Sequence, residues 1–214
     1  MRIASGIVRS LAGLLCCLSV TAAAPLPVLL VLGDSLSAGY GLAPGEAWPD
    51  LLQRRLESLG HPHRVVNASI SGETTRGGLT RLPSLLEDHR PAVVVIELGA
   101  NDGLRGLPLD EFAGNLRLLV ERVMEAGARP VVLPMEVPPN YGRAYARGFA
   151  EVYAKLPSRY PPVSLTPFFL ENVVPDASLM QADGLHPTAA AQPVMLDAIW
   201  PTIESTLRAD EAQP

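Results

Sequence analysis

Ser35 sits in the run Gly33-Asp34-Ser35-Leu36-Ser37-Ala38-Gly39-Tyr40, directly after an apolar stretch. Near the other end of the chain, Asp183-Gly184-Leu185-His186-Pro187 places a carboxylate and an imidazole three residues apart. A serine hydroxyl is a weak nucleophile until a base takes its proton, and imidazole is well suited to do so near neutral pH. A carboxylate on the second ring nitrogen fixes the tautomer and stabilises the imidazolium formed during attack. Ser35, His186 and Asp183 are therefore the expected nucleophile, base and orienting acid of an acyl-transfer centre. Alone, Asp183 also suits a turn before Gly184, and His186 a satisfied loop histidine. Together with Ser35 they take the chemical reading.

Residues 35 and 186 need a scaffold that brings them together. Apolar, β-branched runs at 28–32, 64–67, 92–98, 130–135 and, more weakly, 163–165 read as strands, while 48–59, 79–88, 109–126, 141–155 and 188–207 carry apolar residues at helical spacing. Gly60 and Gly127 mark helix ends, and Thr188 is the expected cap of the last helix. Strands alternating with helices give an α/β fold, a parallel sheet covered on both faces. Right-handed crossovers then place the first strand centrally, in a flavodoxin-like three-layer α/β/α arrangement of five parallel strands with order 2-1-3-4-5. Ser35 falls at the carboxyl end of the first strand, where such sheets bind ligands. Residues 170–180, interrupted by Pro175, read as an irregular approach to the Asp183 loop.

Two further stretches are Asn67-Ala68-Ser69-Ile70-Ser71-Gly72-Glu73-Thr74 and Glu97-Leu98-Gly99-Ala100-Asn101-Asp102-Gly103. A serine near the N-terminus, then a glycine, an asparagine, and finally Asp-x-x-His resembles the SGNH, or GDSL, hydrolase family. The blocks from Glu97 to Gly106, from Pro139 to Tyr141 and from Asp183 to Pro193 are similar to one bacterial periplasmic subfamily, the thioesterase I/protease I/lysophospholipase and arylesterase group. The resemblance implies the same flavodoxin-like fold, a serine esterase acting on acyl esters and thioesters without a cofactor, and a hydrogen-bond-organising role for Asp34. It also implies that residues 103–107 form a mobile loop in contact with substrate.

Acyl transfer puts negative charge on the former carbonyl oxygen, and fixed donors must meet it. The backbone N–H groups of Ser35 and Gly72 and the side-chain amide of Asn101 are the three expected donors, all on strand-end loops. Leu104, Leu107, Val137 and Pro138, on two such loops, are the expected acyl pocket. Glu136 departs from the basic or neutral residue expected at that point in the subfamily, which bears on chain-length preference and on affinity for anionic thioesters.

The chain has 214 residues, 48% hydrophobic and 18% charged, which suits one globular unit with a sizeable core. Arg2 and Arg9, an apolar run at 11–20 and Thr21-Ala22-Ala23-Ala24 read as a cleavable secretory signal over 1–23, leaving a single catalytic domain over 24–214 in the periplasm or outside the cell. The apolar run is about half the length needed to span a bilayer. Both cysteines, Cys16 and Cys17, fall inside that segment, so the mature domain holds its fold without disulfides. A net charge of −5 with scattered arginines argues against nucleic acid and anionic lipid, and nothing demands more than a monomer.

His61-Pro62-His63 has a metal-ligand spacing, but it lies where helix gives way to strand and no acidic or thiol ligand accompanies it, so no metal is expected. No dinucleotide fingerprint or phosphate loop follows a strand, and the Gly33 to Tyr40 loop lacks the hydroxyl-rich run expected around a flavin phosphate. The remaining rival is a noncatalytic acyl-ligand binder of the same fold, which has no need for a nucleophile with its base.

Overall fold

The computed structural model describes residues 26–212. Residues 1–23, expected from sequence to be a secretory signal, lie outside the described residues. Five parallel strands, β1 (Val28–Gly33), β2 (Arg64–Asn67), β3 (Val93–Glu97), β4 (Arg129–Val132) and β5 (Ser164–Leu165), form one sheet in the order β2-β1-β3-β4-β5. Every residue of β1 and β3 is buried, because a parallel strand covered on both faces has no side open to solvent. At the edge, β2 exposes both its end residues and half-buries the two between them, and β5 shrinks to two residues. In register, Val31 pairs with both Asn67 and Val95, so the strand ends that carry the site loops come together at one end of the sheet.

Among the described residues, eight α-helices accompany the sheet: α1 (Ser35–Ala38), α2 (Trp48–Leu59), α3 (Thr75–His89), α4 (Ala100–Leu104), α5 (Leu109–Glu125), α6 (Arg143–Ala154), α7 (Leu156–Arg159) and α8 (Gln192–Glu211). Helix α2 packs on α8 and α3 packs on α5, each pair also touching the sheet. The core between the layers is aliphatic, with Trp48 beside α8 and a stack of Phe112, Phe149 and Tyr153 joining α5 to α6.

Several boundaries differ from the sequence expectation. Helix α3 begins a full turn before residue 79: Thr74 caps it by accepting from the Gly77 N–H at 3.3 Å, while Gly77 and Gly78 dilute the helical pattern in that turn. Gly78 is small because a Cβ there would collide with Leu98 Cδ1. Thr188 does not cap the last helix through its side chain. Its hydroxyl donates to the Leu179 carbonyl at 3.2 Å, a 3-10 turn (Ala189–Ala191) intervenes, and α8 then runs on to Glu211. Among the described residues no helix is long and apolar enough to cross a membrane.

Candidate active site

The turn that presents Ser35 is clamped from below. Asp34 caps α1, its Oδ1 accepting from the Leu36 N–H at 3.0 Å. Its own N–H donates to Glu97 Oε2 at 3.1 Å, and the Ser37 hydroxyl donates to the same oxygen at 2.7 Å. Trp48 Nε1 then donates to the Ser37 oxygen at 3.2 Å. Glu97 is fully buried at the end of β3, and burial, reinforced by nearby Asp34, pushes its carboxyl well above the usual carboxylate range. Gly33 is required beside it, because a Cβ would stand 2.6 Å from Glu97 Oε2 and 2.7 Å from Ser37 Oγ. Sequence reasoning did not single out Glu97. A glutamate closing the otherwise apolar strand Val93–Glu97 was the only available signal.

The loop from the far end of the chain arrives over this turn. Residues Met180 and Pro187 form an antiparallel bridge, and Gln181 ties the loop together: its N–H donates to the His186 carbonyl at 2.7 Å, and its Nε2 donates to the carbonyls of Tyr40 and Pro187 at 2.8 and 2.9 Å. The Tyr40 ring packs against the imidazole with centroids 4.3 Å apart. Within the loop, Asp183 Oδ1 accepts from the N–H groups of Leu185 and His186 at 2.9 and 3.0 Å, which leaves Oδ2 facing His186 Nδ1 at 2.7 Å. The bond to the imidazole, then the two N–H groups, lower the Asp183 carboxyl to about 2. On the other side of the ring, His186 Nε2 is 2.9 Å from Ser35 Oγ. Asp183, His186 and Ser35, 151 residues apart at the extremes of sequence, thus form one hydrogen-bonded chain.

The remaining expected donors cluster at the same strand ends. Ser35 is the first residue of α1, where a backbone N–H has no acceptor inside the helix. Asn101 lies in α4 and donates one amide hydrogen to Asp34 Oδ2 at 2.9 Å, which orients the amide and leaves its second N–H for another acceptor. Burial raises Asp34 to about 6, opposed by the hydrogen bonds from Leu36 and Asn101. Asp102 faces away, accepting from the Thr75 N–H at 2.9 Å and from its hydroxyl, so it fastens α4 to the start of α3. Gly72 adopts φ 80, a left-handed conformation that favours glycine, and its carbonyl accepts from Arg105 Nη2 at 2.9 Å. Arg105 thereby joins the Gly72 loop to the end of α4, a link across 33 residues with no local signature.

Beside Ser35 is a recess of about 140 Å³ lined by Asp34, Leu36, Asn101, Leu104 and His186. It shares Leu36, Ala100, Leu104 and Leu185 with an apolar recess of about 200 Å³ that also reaches Met135, Pro138 and Phe168. Leu104 and Pro138 line this recess. Val137 and Leu107 do not: Val137 is buried against Gly103, where a Cβ would stand 2.6 Å from its Cγ2, and Leu107 presents its carbonyl to the Tyr145 hydroxyl at 2.8 Å. Phe168, Leu170, Val174 and Met180 line the recess from the irregular segment before the Asp183 loop, which carries no periodic pattern from which their direction could be read. Glu136 stands exposed at its edge. A recess of about 310 Å³ between α5, α6 and α7 is larger, but its lining includes no nucleophile paired with a base.

Residues 31–193 match the model of the GDSL-like Lipase/Acylhydrolase family, a span that contains all of the residues just described. The chain is 46% identical over 197 residues to esterase TesA of Pseudomonas aeruginosa, covering 92% of this chain and 98% of that protein. It is 46% identical over 175 residues to thioesterase 1/protease 1/lysophospholipase L1 of Escherichia coli K12, covering 82% of each. A crystal structure of the psychrotrophic esterase EstA from Pseudoalteromonas sp., inhibited by monoethylphosphonate, superposes with a TM-score of 0.81 at 40% identity, covering 85% of this chain and 98% of that one. With matching sequence across the whole sheet and the same architecture, the chain belongs to the GDSL-like lipase/acylhydrolase family.

Proposed function

We propose that this protein is a serine esterase that hydrolyses acyl esters and thioesters through an acyl-Ser35 intermediate. The observation that carries the reading is the unbroken chain from Asp183 through His186 to Ser35, with contacts of 2.7 and 2.9 Å. Ser35 Oγ attacks the substrate carbonyl while its proton passes to His186 Nε2, and Asp183 stabilises the imidazolium. The tetrahedral intermediate collapses, the bond to the alkoxide or thiolate breaks, and the leaving group takes the proton from His186. Water then attacks the acyl-serine, gives its proton to the same nitrogen, and releases the carboxylic acid with Ser35 restored. A noncatalytic acyl binder is not favoured, because it has no use for this pair of hydrogen bonds.

In this reading the oxyanion meets the N–H groups of Ser35 and Gly72 and the free amide hydrogen of Asn101. Asn101→Ala is expected to lower kcat by about 100-fold to 1,000-fold with little change in KM, because the charge it meets exists only in the transition state. Steady-state kinetics on one p-nitrophenyl ester check this. A raised KM with kcat unchanged would instead place Asn101 in the binding wall.

The apolar recess is assigned to the acyl chain, with Leu104 and Pro138 at its walls. A p-nitrophenyl ester series from acetate to palmitate, run beside palmitoyl-CoA and lysophosphatidylcholine, tests both the activity and this assignment. Hydrolysis across several chain lengths is expected. Leu104→Ala should shift kcat/KM for decanoate relative to butyrate by about 1 kcal/mol per lost methylene contact. Equal losses for both chains would remove Leu104 from the acyl site, and no turnover of any ester would overturn the function. Export to the periplasm belongs to the same reading and rests on the sequence of residues 1–23.

A further inference from the structure

His61 and His63 lie in the connection between α2 and β2, and the last turn of α8 brings Glu211 against them. His61 Nδ1 is 2.8 Å from Glu211 Oε1, and His63 Nδ1 is 3.7 Å from the same oxygen. One ring nitrogen from each histidine and one carboxylate oxygen of Glu211 all lie within 4.8 Å of one another. Both imidazoles are more than nine-tenths buried, and His63 Nδ1 has no hydrogen-bond partner among the described residues. The other nitrogen of His63 faces Asp210 Oδ2 at 3.4 Å. With a proton on that nitrogen, Nδ1 turns a lone pair toward a carboxylate oxygen, so two acceptors face each other. This is the arrangement in which a carboxylate behind an imidazole orients it for a cation in front.

We propose that His61 Nδ1, His63 Nδ1 and Glu211 Oε1 form a binding site for a borderline divalent transition ion, Zn²⁺ being the best fit. Ligand bonds of about 2.0–2.1 Å in a tetrahedron set ligand atoms roughly 3.4 Å apart, and the 2.8 and 3.7 Å separations bracket that value. Two imidazoles and one carboxylate suit zinc, whereas calcium and magnesium take oxygen ligands. Binding through Nδ1 requires that nitrogen to be free of its proton, the neutral His61 imidazole then carrying its single N–H on Nε2. Three protein ligands leave the fourth position to water. Asp210, held also near Arg129 Nε at 3.8 Å, keeps His63 in orientation without touching the ion.

The site is remote from Ser35. Arg64, next to His63, pairs with Val28 at the start of β1, whereas Ser35 follows the end of that strand. An ion here would fasten the end of α8 to the entry of the edge strand β2, and its effect belongs to stability and not to ester turnover. Short-range spacing could not reveal the third ligand, which comes from 148 residues beyond His63.

The test uses the mature chain, free of any polyhistidine tag, stripped with EDTA and titrated with Zn²⁺ by calorimetry, with thermal unfolding followed with and without the ion. One Zn²⁺ per chain and a higher Tm are expected, with ester turnover unchanged by zinc or by chelation. His61→Ala and Glu211→Gln, at the less buried positions, should each weaken binding by about tenfold or more and abolish the Tm rise, while His89→Ala should bind like the parent. Absence of binding, binding that survives both ligand substitutions, or zinc that disappears with His186→Ala in place of His61→Ala would each overturn the site.

Discussion

Ser35→Ala is expected to abolish ester hydrolysis, with kcat falling by about a millionfold, as when the nucleophile of a serine hydrolase is removed. The loss follows from chemistry that nothing else nearby can supply. Ser37, two residues on, is fully buried and donates its hydrogen to Glu97, so it cannot serve as a substitute nucleophile. The fold should survive, because the Ser35 hydroxyl bonds to His186 in a loop and contributes nothing to the core between the sheet and its helices. Turnover of a p-nitrophenyl ester by the purified variant, beside a thermal unfolding curve like that of the parent, is the check. A well-folded variant retaining more than a few per cent of the parent rate would take the nucleophile away from Ser35.

Asp183→Asn should be slower by about 10⁴-fold in kcat at neutral pH. The substitution keeps an oxygen to accept from the N–H groups of Leu185 and His186, so the loop can retain its shape. The amide nitrogen then replaces Oδ2 and offers a hydrogen to His186 Nδ1. To accept it the imidazole must place its own proton on Nε2, which is the nitrogen that has to take the proton of Ser35. The native carboxylate avoids this, and its depression to about 2 fixes the sign of its pH dependence: the charge is present above the ordinary carboxylate range and is lost only as pH falls toward 2. Acid loss of activity in the mildly acidic range therefore does not come from Asp183. A kcat/KM profile against pH for both proteins tests the prediction. A near-normal rate for Asp183→Asn would reduce Asp183 to a holder of its turn, and the orienting carboxylate would have to be Asp34 or Asp102, each bonded elsewhere.

The sheet order and the central helices were legible because buried parallel strands are continuous apolar runs and amphipathic helices repeat at fixed spacing. What was hidden depended on partners distant in sequence. The early start of α3 was masked by Gly77 and Gly78: a Cβ at Gly78 would meet Leu98 across the interface, and one at Gly77 would meet the Glu73 carboxylate. Ser35, Asp183, His186 and Asn101 were visible as residue types in order, and the structure brings all four around one recess beside Ser35 or onto its hydrogen-bond chain. The clamp beneath them, Glu97 with Ser37 and Trp48, has no spacing rule that would reveal it. Val137 and Leu107 show the limit of reading a pocket from apolar residues on loops: both are apolar and near, but one faces the core and the other lies outside the recess.

The acyl-Ser35 intermediate is tested most directly by covalent trapping. Incubation with an alkyl phosphonate bearing a p-nitrophenol leaving group should transfer one phosphonyl group per chain, with activity lost in proportion to labelling, and mass spectrometry of the digested protein should place the adduct on Ser35. An adduct on another residue, or full ester turnover by protein labelled stoichiometrically, would contradict the account.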